Sequence, residues 1–539
     1  VCSSDLMRYL VNSSQMKKAD SYTIQKKGIL SLELMERAAR ACVDVMTAEG
    51  FDLSKPCVVC GSGNNGGDGF AVARLLMESG VTPFVCFAGD EDRRSEETIV
   101  QMQKYLEIGG RICNEYRDDE YSIIIDAVFG VGLRREITGG YADVIERMNR
   151  TKAVKFAVDM PSGISADTGS VLGTAFRADV TVTFQAKKLG LVLYPGKEYA
   201  GKVVTVDIGI DMEGLTEEGG LPGEEAGTGM GPLAYTCEFS DHQSMLPVRR
   251  ADSNKGSYGK LLMIAGSRGM SGAAFLNGSA AYLSGAGLVR IYTSEENRVI
   301  LQQQLPEAVI TTYTDYDREE TKRLLEWADT VCIGSGMGMS ETSVRLVEQV
   351  LREAEGTCLI DADGLNILAE HKEWMSLLKR EGSCAPARVL TPHMKEMSRL
   401  TGHSIEELKE RRIEIVKEFA DRTGCTCVLK DARTVTASPS ECFKIYPCSL
   451  PGAGIYVNLS GNAAMAKAGA GDVLAGIISA LLAQGLDGHK AASLGTYLHG
   501  RSGDYARKLR GSYSVLARDL LLCISEAFKE LEEGRREEV

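Results

Sequence analysis

A glycine-rich segment with polar side chains follows the first strongly apolar run of the chain. Residues 57–60 read CVVC and predict a buried strand, and residues 61–69, GSGNNGGDG, come directly after it. A helical pattern of apolar residues begins at Phe70. Backbone N–H groups at a glycine-rich helix start bind anions, although glycines also serve a simple tight turn. The two asparagines and Asp68 inside the segment favour a ligand site.

Two further carboxylates lie where apolar runs of the same region end. Asp126 follows residues 123–125, and Asp159 follows residues 156–158. Ligands of open parallel sheets bind beyond the carboxyl ends of the strands, which would place both acids in a site. Each aspartate taken alone is better explained as a cap of the next turn, because its side chain bonds nearby backbone N–H groups. The convergence of three polar clusters on one sheet edge favours the site.

A glycine and aspartate cluster precedes an apolar helix near the C-terminus. Gly469-Ala470-Gly471-Asp472 leads into the apolar residues 473–482. Glycine N–H groups at such a helix start stabilise a phosphoryl group in transfer, and Asp472 is placed to deprotonate the hydroxyl that attacks it. The alternative is a first-turn carboxylate that only complements the helix dipole. The surrounding glycines favour kinase-type chemistry.

Short β-rich runs alternate with helical patterns along the chain, which predicts α/β domains with largely parallel sheets. Residues 213–243 are acidic and glycine-rich and have no hydrophobic period, so they predict a linker. We therefore expect one domain over residues 7–212 and a second over residues 244–535. The predicted strands are 57–60, 83–87, 122–125, 154–158, 180–184 and 203–208, then 261–265, 288–292, 331–333, 358–360, 389–390, 426–429 and 434–437.

Composition limits the classes of partner. A net charge of −13 opposes association with nucleic acid and anionic lipid. No apolar run approaches the ~20 residues that span a bilayer, and no secretory signal is recognisable, so we expect a cytoplasmic protein without membrane contact. The 15 cysteines are expected to be reduced and packed, with metal or redox use of Cys57/Cys60 and Cys425/Cys427 as the weaker alternative. Residues 1–6, before Met7, are expected to lie outside the fold.

The N-terminal half resembles the NAD(P)HX epimerase domain, whose substrate is hydrated NADH or NADPH. The resemblance covers about residues 7–212 with its motifs in the expected order, and it implies a Rossmann-like three-layer fold. The motifs that carry it are Gly63-Asn64-Asn65-Gly66-Gly67-Asp68-Gly69, Asp126-Ala127-Val128-Phe129-Gly130-Val131-Gly132, Val158-Asp159-Met160-Pro161-Ser162-Gly163 and Thr183-Phe184-Gln185-Ala186-Lys187-Lys188-Leu189-Gly190.

The same resemblance implies how the N-terminal site works. Asp159 contacts the substrate at the reacting carbon and is the expected acid and base, because epimerisation takes and returns a proton. Asn65, Asp126 and Ser162 are expected to supply hard oxygen donors to a potassium ion. The residues expected to hold the substrate are Asn64, Asn65, Gly66, Gly67, Asp68, Gly130, Val131, Gly132, Leu133, Arg134, Arg135, Glu136 and Asp159.

The C-terminal half resembles the ADP-dependent NAD(P)HX dehydratase domain, which implies a ribokinase-like α/β fold. The resemblance spans about residues 244–530 and rests on residues 254–259, 266–267, 271–274, 285–289, 334–338, 361–366, 390–397, 428–434 and 469–472. Phosphorylation of the ring hydroxyl by ADP, with magnesium, would turn it into a good leaving group and release AMP and phosphate. The residues expected at the substrate are Ala273, Gly336, His393 and the base Asp472, and those at the nucleotide are Lys430, Asp431, Ala432, Arg433, Thr434 and Gly471.

Four residues of the second site, His393, Met394, Lys395 and Asp431, depart from the family pattern or have a role that the residue type alone does not indicate. A lone histidine such as His393 is ordinarily a surface or core residue, so its role rests on the resemblance. Asp431 stands where the family commonly has glycine, and Met394-Lys395 replaces a usual proline and glycine. We expect these departures to affect nucleotide or substrate affinity.

Two alternative functions are compatible with parts of the sequence. The C-terminal fold could serve an ATP-dependent kinase of a small vitamin or sugar, although the glycine clusters at residues 272–274 and 334–338 speak against it. The N-terminal half could be a binding module without chemistry, although Asn65, Asp126, Asp159 and Ser162 are retained. In each case we expect small-molecule ligands and a homo-oligomer.

Overall fold

The computed structural model describes residues 9–215, 234–379, 386–440 and 454–537, and the chain divides into two units, residues 1–231 and 232–539. The strands of the N-terminal unit are β1 (Tyr9–Val11), β2 (Pro56–Cys60), β3 (Phe84–Phe87), β4 (Ile112–Cys113), β5 (Ile123–Ala127), β6 (Val154–Val158), β7 (Val180–Phe184), β8 (Lys187–Lys188) and β9 (Lys202–Val206). Its helices are α1 (Ser13–Lys27), α2 (Ser31–Ala48), α3 (Asn64–Glu78), α4 (Glu96–Glu107), α5 (Gly140–Arg150), α6 (Leu189–Val192) and α7 (Gly196–Ala200).

The N-terminal sheet is parallel and has the strand order β4-β3-β2-β5-β6-β7-β9. Strands β2 and β5 are buried throughout, which explains their unbroken apolar runs. The direction of strand succession reverses between β2 and β5, and ligands bind beyond the carboxyl ends at such a switch point. This order confirms the expected Rossmann-like fold. Strands β1 and β8 form a separate parallel pair.

The C-terminal unit contains more helix than the first. Its strands are β10 (Ala234–Tyr235), β11 (Lys260–Ile264), β12 (Leu288–Ser294), β13 (Val309–Tyr313), β14 (Thr330–Ile333), β15 (Thr357–Ile360), β16 (Arg388–Leu390), β17 (Thr426–Leu429), β18 (Val435–Ala437) and β19 (Ile455–Val457). Its helices are α8 (Phe239–Met245), α9 (Ser271–Leu283), α10 (Arg298–Gln304), α11 (Arg318–Trp327), α12 (Glu341–Glu353), α13 (Asp363–Glu370), α14 (Met394–Thr401), α15 (Ile405–Glu410), α16 (Arg412–Thr423), α17 (Ala470–Ala483), α18 (Gly488–Arg510) and α19 (Ala517–Glu537).

The second sheet repeats the same kind of switch. Strands run parallel in the order β13-β12-β11-β14-β15-β16-β17, and succession reverses between β11 and β14. Strands β18 and β19 continue the sheet in antiparallel fashion, and β10 pairs with β19 in parallel. The expected second α/β fold is confirmed.

Helix α17 lies at the centre of the C-terminal core. It is apolar on almost all sides, as expected for a helix covered by other helices and by the sheet. A Cβ at Gly476 would lie 2.3 Å from the Asn277 carbonyl oxygen, so only glycine lets α17 approach α9 this closely. The close packing holds the N-terminal end of α17, with Asp472, in a fixed position.

The segment that composition predicts as a linker contains ordered structure. Strand β10 and helix α8 lie within or across residues 213–243, and Tyr235 and His242 are 1% exposed. These short elements therefore belong to the C-terminal unit. Residues 1–8, among them Met7, and residues 216–233 lie outside the described residues. The domain bounds 7–212, 213–243 and 244–535 therefore stay a prediction.

The cysteines match the packing interpretation. Cys57, Cys60, Cys425 and Cys427 are fully buried, as expected for cysteines that pack as small apolar residues. No described helix has both the length and the apolar character needed to span a bilayer. The cytoplasmic location stays a prediction.

Candidate active sites

Asp159 has a strained backbone conformation, and a buried lysine contacts its side chain. Its φ of 63° lies in the left-handed region, which a residue with a side chain adopts only when its surroundings impose it. Its Oδ1 accepts hydrogen bonds from Lys188 Nζ (2.5 Å), Thr183 Oγ1 (3.1 Å) and Phe184 N (3.3 Å). Lys188 is 1% exposed and also donates to Thr183 Oγ1 and the Phe184 carbonyl. The three hydrogen bonds that Asp159 accepts from Lys188, Thr183 and Phe184 all fall on Oδ1.

Asp126 and Ser162 form a second, fully buried pair. Ser162 donates from its hydroxyl to Asp126 Oδ1 and from its backbone N to Oδ2, both at 2.7 Å. Burial raises the pKa of Asp126 to about 6, although hydrogen bonds from Ser162 and Val128 lower it. Phe129 N donates to Ser162 Oγ at 2.8 Å. The pair therefore fixes the turn that follows β5.

Asn65 lies beside this turn with an unsatisfied amide. Helix α3 begins at Asn64, so the segment expected as a loop is the first turn of a helix. The Asn65 Nδ2 is buried without a hydrogen-bond partner, and a Cβ at Gly130 would lie 3.2 Å from its Oδ1. A Cβ at Gly66 would clash with the Gly61 carbonyl at 1.9 Å. Glycine thus lets Asn65 come close to the turn that Asp126 and Ser162 hold.

Carboxylates gather around the first site. Burial raises the pKa of Asp68 well above its ordinary value, and the charges of Asp159 and Asp20 raise it further. Burial likewise raises the pKa of Asp20, on α1, together with Glu97 and Asp159. The sequence motifs give no role to Asp20 or Lys188. Lys188 lies in the quoted motif at residues 183–190, but nothing in the sequence distinguishes it from the adjacent Lys187.

In the second unit, Asp472 lies in the first turn of α17. Gly469, with φ of 89°, caps the helix. Burial raises the pKa of Asp472 to about 6, and the Asp361 charge adds to this, whereas Ser335 and Lys430 lower it. A Cβ at Gly471 would lie 3.6 Å from Lys430 Nζ. The acid, the lysine and the glycine-rich helix start are therefore neighbours.

Three successive parallel strands place a polar side chain each at this site. Asp361 follows β15, Thr391 follows β16 and Lys430 follows β17. Asp361 is 1% exposed, and its Oδ1 accepts from Lys430 Nζ at 2.6 Å and from Thr391 Oγ1 at 2.7 Å. Burial lowers the pKa of Lys430, but Asp361 and Glu396 outweigh this and raise it. The buried Asp361 orients the lysine beside the helix start.

His393 and the glycine-rich turn after β14 complete the site. The His393 ring caps α14, because its Nδ1 accepts from Lys395 N at 3.0 Å and from Glu396 N at 3.2 Å. Burial and the nearby Lys430 charge lower the pKa of His393. Gly336 has φ of 59°, and a Cβ there would lie 2.7 Å from the Cβ of Ala273.

Comparison with known proteins assigns both halves. Residues 31–190 match the family model described as YjeF-related protein N-terminus, and residues 261–526 match NAD(P)H-hydrate dehydratase. The bifunctional NAD(P)H-hydrate repair enzyme of Thermofilum pendens is 34% identical over 96% of both chains. The chain belongs to the family of bifunctional NAD(P)H-hydrate repair enzymes. The Escherichia coli enzyme of the same name is 35% identical over 92% of this chain and 88% of its own.

A solved structure resembles the C-terminal half of this repair enzyme family member. The ADP/ATP-dependent NAD(P)H-hydrate dehydratase of Bacillus subtilis, co-crystallised with ATP and Mg²⁺, is 29% identical and covers 55% of this chain and 98% of its own, with a TM-score of 0.47. The relatives that cover nearly the whole chain are named bifunctional NAD(P)H-hydrate repair enzymes. They do not support the alternative of a vitamin or sugar kinase with a non-catalytic N-terminal half.

The structure places most of the expected residues at the two sites, but some of their side chains are bonded elsewhere or exposed to solvent. In the first site Arg134 Nη2 donates to Ser14 Oγ at 3.3 Å, and Arg135 and Glu136 are exposed. In the second site Arg433 donates to the Leu459 carbonyl at 3.0 Å, and Ala432 is exposed on the turn after β17.

The departure at Asp431 has a structural counterpart. Arg412, on α16, is 5% exposed, and its Nη1 lies 3.0 Å from Asp431 Oδ2. Burial lowers the pKa of Arg412, and Asp431 counteracts this. The carboxylate that replaces the common glycine therefore compensates a buried guanidinium. Met394 and Lys395, the other departure from the family pattern, are the first two residues of helix α14, and Lys395 N donates to His393 Nδ1.

Proposed function

We propose that this chain repairs hydrated nicotinamide nucleotides, as its family does: the N-terminal unit epimerises R- and S-NAD(P)HX, and the C-terminal unit dehydrates the S epimer with ADP. Family membership and two separate sites at the carboxyl ends of parallel strands support this assignment. The observation that carries it is a lysine beside each candidate catalytic carboxylate. Lys188 donates to Asp159, and Lys430, which donates to Asp361, lies close enough to Asp472 to lower its pKa.

In the epimerase site, Asp159 is the proposed acid and base. The hydroxyl at the hydrated carbon takes a proton and leaves as water, while the ring nitrogen forms a double bond to that carbon. Water then adds to the other face and returns the proton. Lys188 holds Asp159 Oδ1, which leaves Oδ2 for the substrate. Asn64 to Asp68 and the 130–136 loop are proposed to hold the nucleotide, supported by the uncapped start of α3.

A potassium ion is proposed at Asn65, Asp126 and Ser162. The donor set is suitable, since amide, carboxylate and hydroxyl oxygens suit a hard cation, and the three residues are at most 9% exposed. When bound, the ion would supply a fixed positive charge for substrate phosphates. The residues themselves hold the turn after β5 whether or not the ion is present.

In the dehydratase site, Asp472 is proposed to take the proton of the ring hydroxyl as its oxygen attacks the terminal phosphorus of ADP. AMP leaves, the ring nitrogen lone pair then expels phosphate, and NAD(P)H forms after loss of a ring proton. Lys430 and the N–H groups of the α17 start lie where the transferring phosphoryl group would need positive charge. Ala273, Gly336 and His393 are proposed to contact the substrate, and Lys430 to Thr434 with Gly471 the nucleotide.

Magnesium is proposed to act with the nucleotide at this site. No group of three or more His, Cys, Asp or Glu side chains in the described ranges is arranged to hold a metal ion. This fits magnesium, which usually binds one or two carboxylates, substrate phosphates and water. Asp361 and Glu396, the buried acids next to Lys430, would hold it, and the ion would neutralise phosphate charge during transfer.

The test follows reduced-nicotinamide absorbance in a mixture of both NADHX epimers with ADP, magnesium and potassium. Wild type should convert the whole mixture, Asp159→Asn only the S share, and Asp472→Asn none. Asp143→Asn and Asp315→Asn, on exposed aspartates, are the matched controls and should behave as wild type. Replacing potassium by sodium should slow only the R share. Lack of conversion by wild type with ADP, but consumption of ATP with a vitamin or sugar, would overturn the assignment.

We further propose a cytoplasmic homo-oligomer. Exposed large apolar side chains support association, since Leu509, Tyr513, Leu516 and Leu522 are 59–93% exposed. Light scattering coupled to size exclusion should give a mass that is a multiple of 58.2 kDa, and a monomer would contradict the proposal.

A further inference from the structure

Helix α9 carries an asparagine in the middle of its apolar, buried face. Asn277 is 0% exposed, and so are Ala274 and Ala281, its neighbours one turn before and one turn after it. A buried amide is costly unless it is hydrogen-bonded, so an asparagine at this position indicates a partner outside the helix. That partner is Ser335, whose Oγ accepts a hydrogen bond from Asn277 Nδ2 at 2.9 Å.

Ser335 connects this amide to the proposed catalytic base of the dehydratase. It lies in the turn after β14, is 0% exposed, and its hydroxyl is hydrogen-bonded to the Asp472 carboxylate. An ionised carboxylate only accepts hydrogen bonds, so Ser335 must donate its single hydroxyl hydrogen to Asp472. The lone pairs of Ser335 Oγ are then free to accept from Asn277. The count of donors therefore sets the direction of both hydrogen bonds.

The backbone holds the three residues in place. The Ser335 carbonyl accepts from Gly266 N at 2.9 Å, which ties the turn after β14 to the turn after β11. Helix α17 passes closest to α9 at Gly476, one turn after Asp472, where a Cβ would lie 2.3 Å from the Asn277 carbonyl oxygen. The side chains of Asn277 and Ser335 therefore lie between elements that cannot easily move apart.

The charged neighbours of Asp472 act on it differently from Ser335. Burial raises the pKa of Asp472, the like charges of Asp361 and Asp363 raise it further, and Lys430 lowers it. Lys430 Nζ donates to Asp361 Oδ1 at 2.6 Å, so its position follows that of Asp361. Ser335 instead approaches from the closed interior, whereas Asp472 itself is partly exposed. The carboxylate can thus be held from its buried side while it stays open to a substrate.

We infer that Asn277 and Ser335 are positioning residues of the dehydratase: Asn277 orients the Ser335 hydroxyl, and this hydroxyl holds the Asp472 carboxylate in the orientation that takes the proton of the substrate hydroxyl. The inference rests on the proposed dehydratase function and adds two buried residues that act through Asp472. A hydrogen bond donated to a carboxylate favours its ionised, basic form. Loss of the Ser335 hydroxyl should therefore raise the pH above which the enzyme works.

The pH profile of kcat for S-NADHX dehydration with ADP tests this. Ser335→Ala should move the midpoint upward from about 6 by about one pH unit, the usual worth of a hydrogen bond to a charged group, and lower the plateau about tenfold with KM unchanged. Ser335→Thr keeps the hydroxyl and should restore the wild-type midpoint. Asn277→Leu, of similar size, should shift the midpoint less, because Ser335 remains.

A double variant separates a joint action of the two residues from two independent ones. Ser335→Ala, Asn277→Leu should have the midpoint of Ser335→Ala alone, because Asn277 acts through the hydroxyl that is then absent. Ser279→Ala is the matched control and should keep the wild-type profile. Ser279 is a buried serine of the same helix, and its Oγ has no hydrogen-bond partner in the described ranges.

Each other outcome overturns the inference in a recognisable way. A lower plateau in Ser335→Ala with the midpoint still at about 6 would mean that Ser335 only supports the fold. Additive shifts in the double variant would mean that Asn277 acts on Asp472 without Ser335. A Ser335→Thr midpoint as high as that of Ser335→Ala would exclude the hydroxyl as the cause. Wild type that converts no S-NADHX with ADP would instead show that the proposed function has failed, and the inference with it.

Discussion

Lys188 supplies the only positive charge that contacts Asp159 in the described ranges, and it is 1% exposed. Lys188→Met should therefore leave Asp159 without its anchor and lower the repair of R-NADHX on the order of 100-fold, the usual worth of a positioned acid or base. Dehydration of S-NADHX by the same chain should stay at the wild-type rate, because that site lies in the other unit. Equal loss with both epimers would indicate unfolding, and Lys188→Arg should recover part of the R-epimer rate.

Asp472 gives the dehydratase a definite pH dependence. Its pKa of about 6 means that the basic, ionised form predominates only above pH 6. The rate of S-NADHX dehydration should therefore rise with pH through about 6 and then level off. Asp361→Asn removes a charge that raises this pKa, so the midpoint should move to lower pH while the maximal rate falls through loss of the Lys430 contact. A midpoint that stays in place would show that another group controls the rate.

The Asp431 carboxylate should matter for stability. Asp431→Gly restores the residue common in the family but leaves the Arg412 guanidinium buried without its ion pair. We expect a loss of about 2 kcal/mol in the free energy of unfolding, the usual cost of an unsatisfied buried polar group. The double variant Asp431→Gly, Arg412→Leu should recover most of this in denaturant titrations. A neutral single variant would show that Arg412 finds another partner.

At the scale of elements, apolar runs predicted the central strands well. The predicted strands at 154–158, 180–184 and 426–429 match β6, β7 and β17 residue for residue, and the others differ at their ends. Strands β1, β4, β8, β10, β13 and β19 were not predicted. Five of them have only two or three residues, which carry no period, and β13 is a partly exposed edge strand whose threonines interrupt its apolar run. The glycines and asparagines at the start of α3 disfavour helix, so the sequence predicts helix only from Phe70, whereas packing against β2 and β5 stabilises the earlier first turn.

The site was predictable only in part, for a physical reason. Asp159 stands out because it ends an apolar run, and Asp472 because it follows glycines at the start of one. The ion pairs beside them do not stand out, since Lys188 joins Asp159 across 29 positions of the sequence and Lys430 joins Asp361 across 69. Arg412 is hidden in the same way, within an ordinary amphipathic helix. The strand order decides which charged residues meet, and local sequence patterns do not contain that information.

Strand β10 and helix α8 should stabilise the C-terminal unit in a pH-dependent way. The His242 ring stacks on Tyr497 at 3.7 Å, and its Nε2 lies 3.0 Å from Tyr456 Oη. Burial lowers the pKa of His242 to about 4 from its ordinary 6.5, so the folded state binds fewer protons than the unfolded state between these values. Its contribution is present above pH 6.5 and is lost as the pH falls towards 4.

Thermal unfolding between pH 7 and 4.5 checks this expectation. His242→Gln should lower the unfolding midpoint at pH 7 through loss of the stacked ring, and the midpoint should then depend less on pH than in wild type. The partly exposed His403→Gln serves as control and should keep the wild-type dependence. An unchanged pH dependence in His242→Gln would assign the effect to other groups, such as the buried His489.

At the scale of the whole molecule, each unit contains seven parallel strands, an apolar core and a carboxylate site. None of the catalytic contacts described for one unit uses a residue of the other. The epimerase product S-NAD(P)HX is also the dehydratase substrate, and a small molecule can reach the second site through solvent. The two activities should therefore be separable between chains.

Mixing two inactivated chains tests this independence. Asp159→Asn retains only the C-terminal site and Asp472→Asn only the N-terminal site, so an equimolar mixture should convert both epimers completely, at a rate that scales with the concentration of each chain. The double variant should convert neither epimer and serves as the control for residual activity. A mixture that stops at the S share would mean that the product passes between sites of a single chain, because a freely diffusing intermediate would reach the active dehydratase on the other chain.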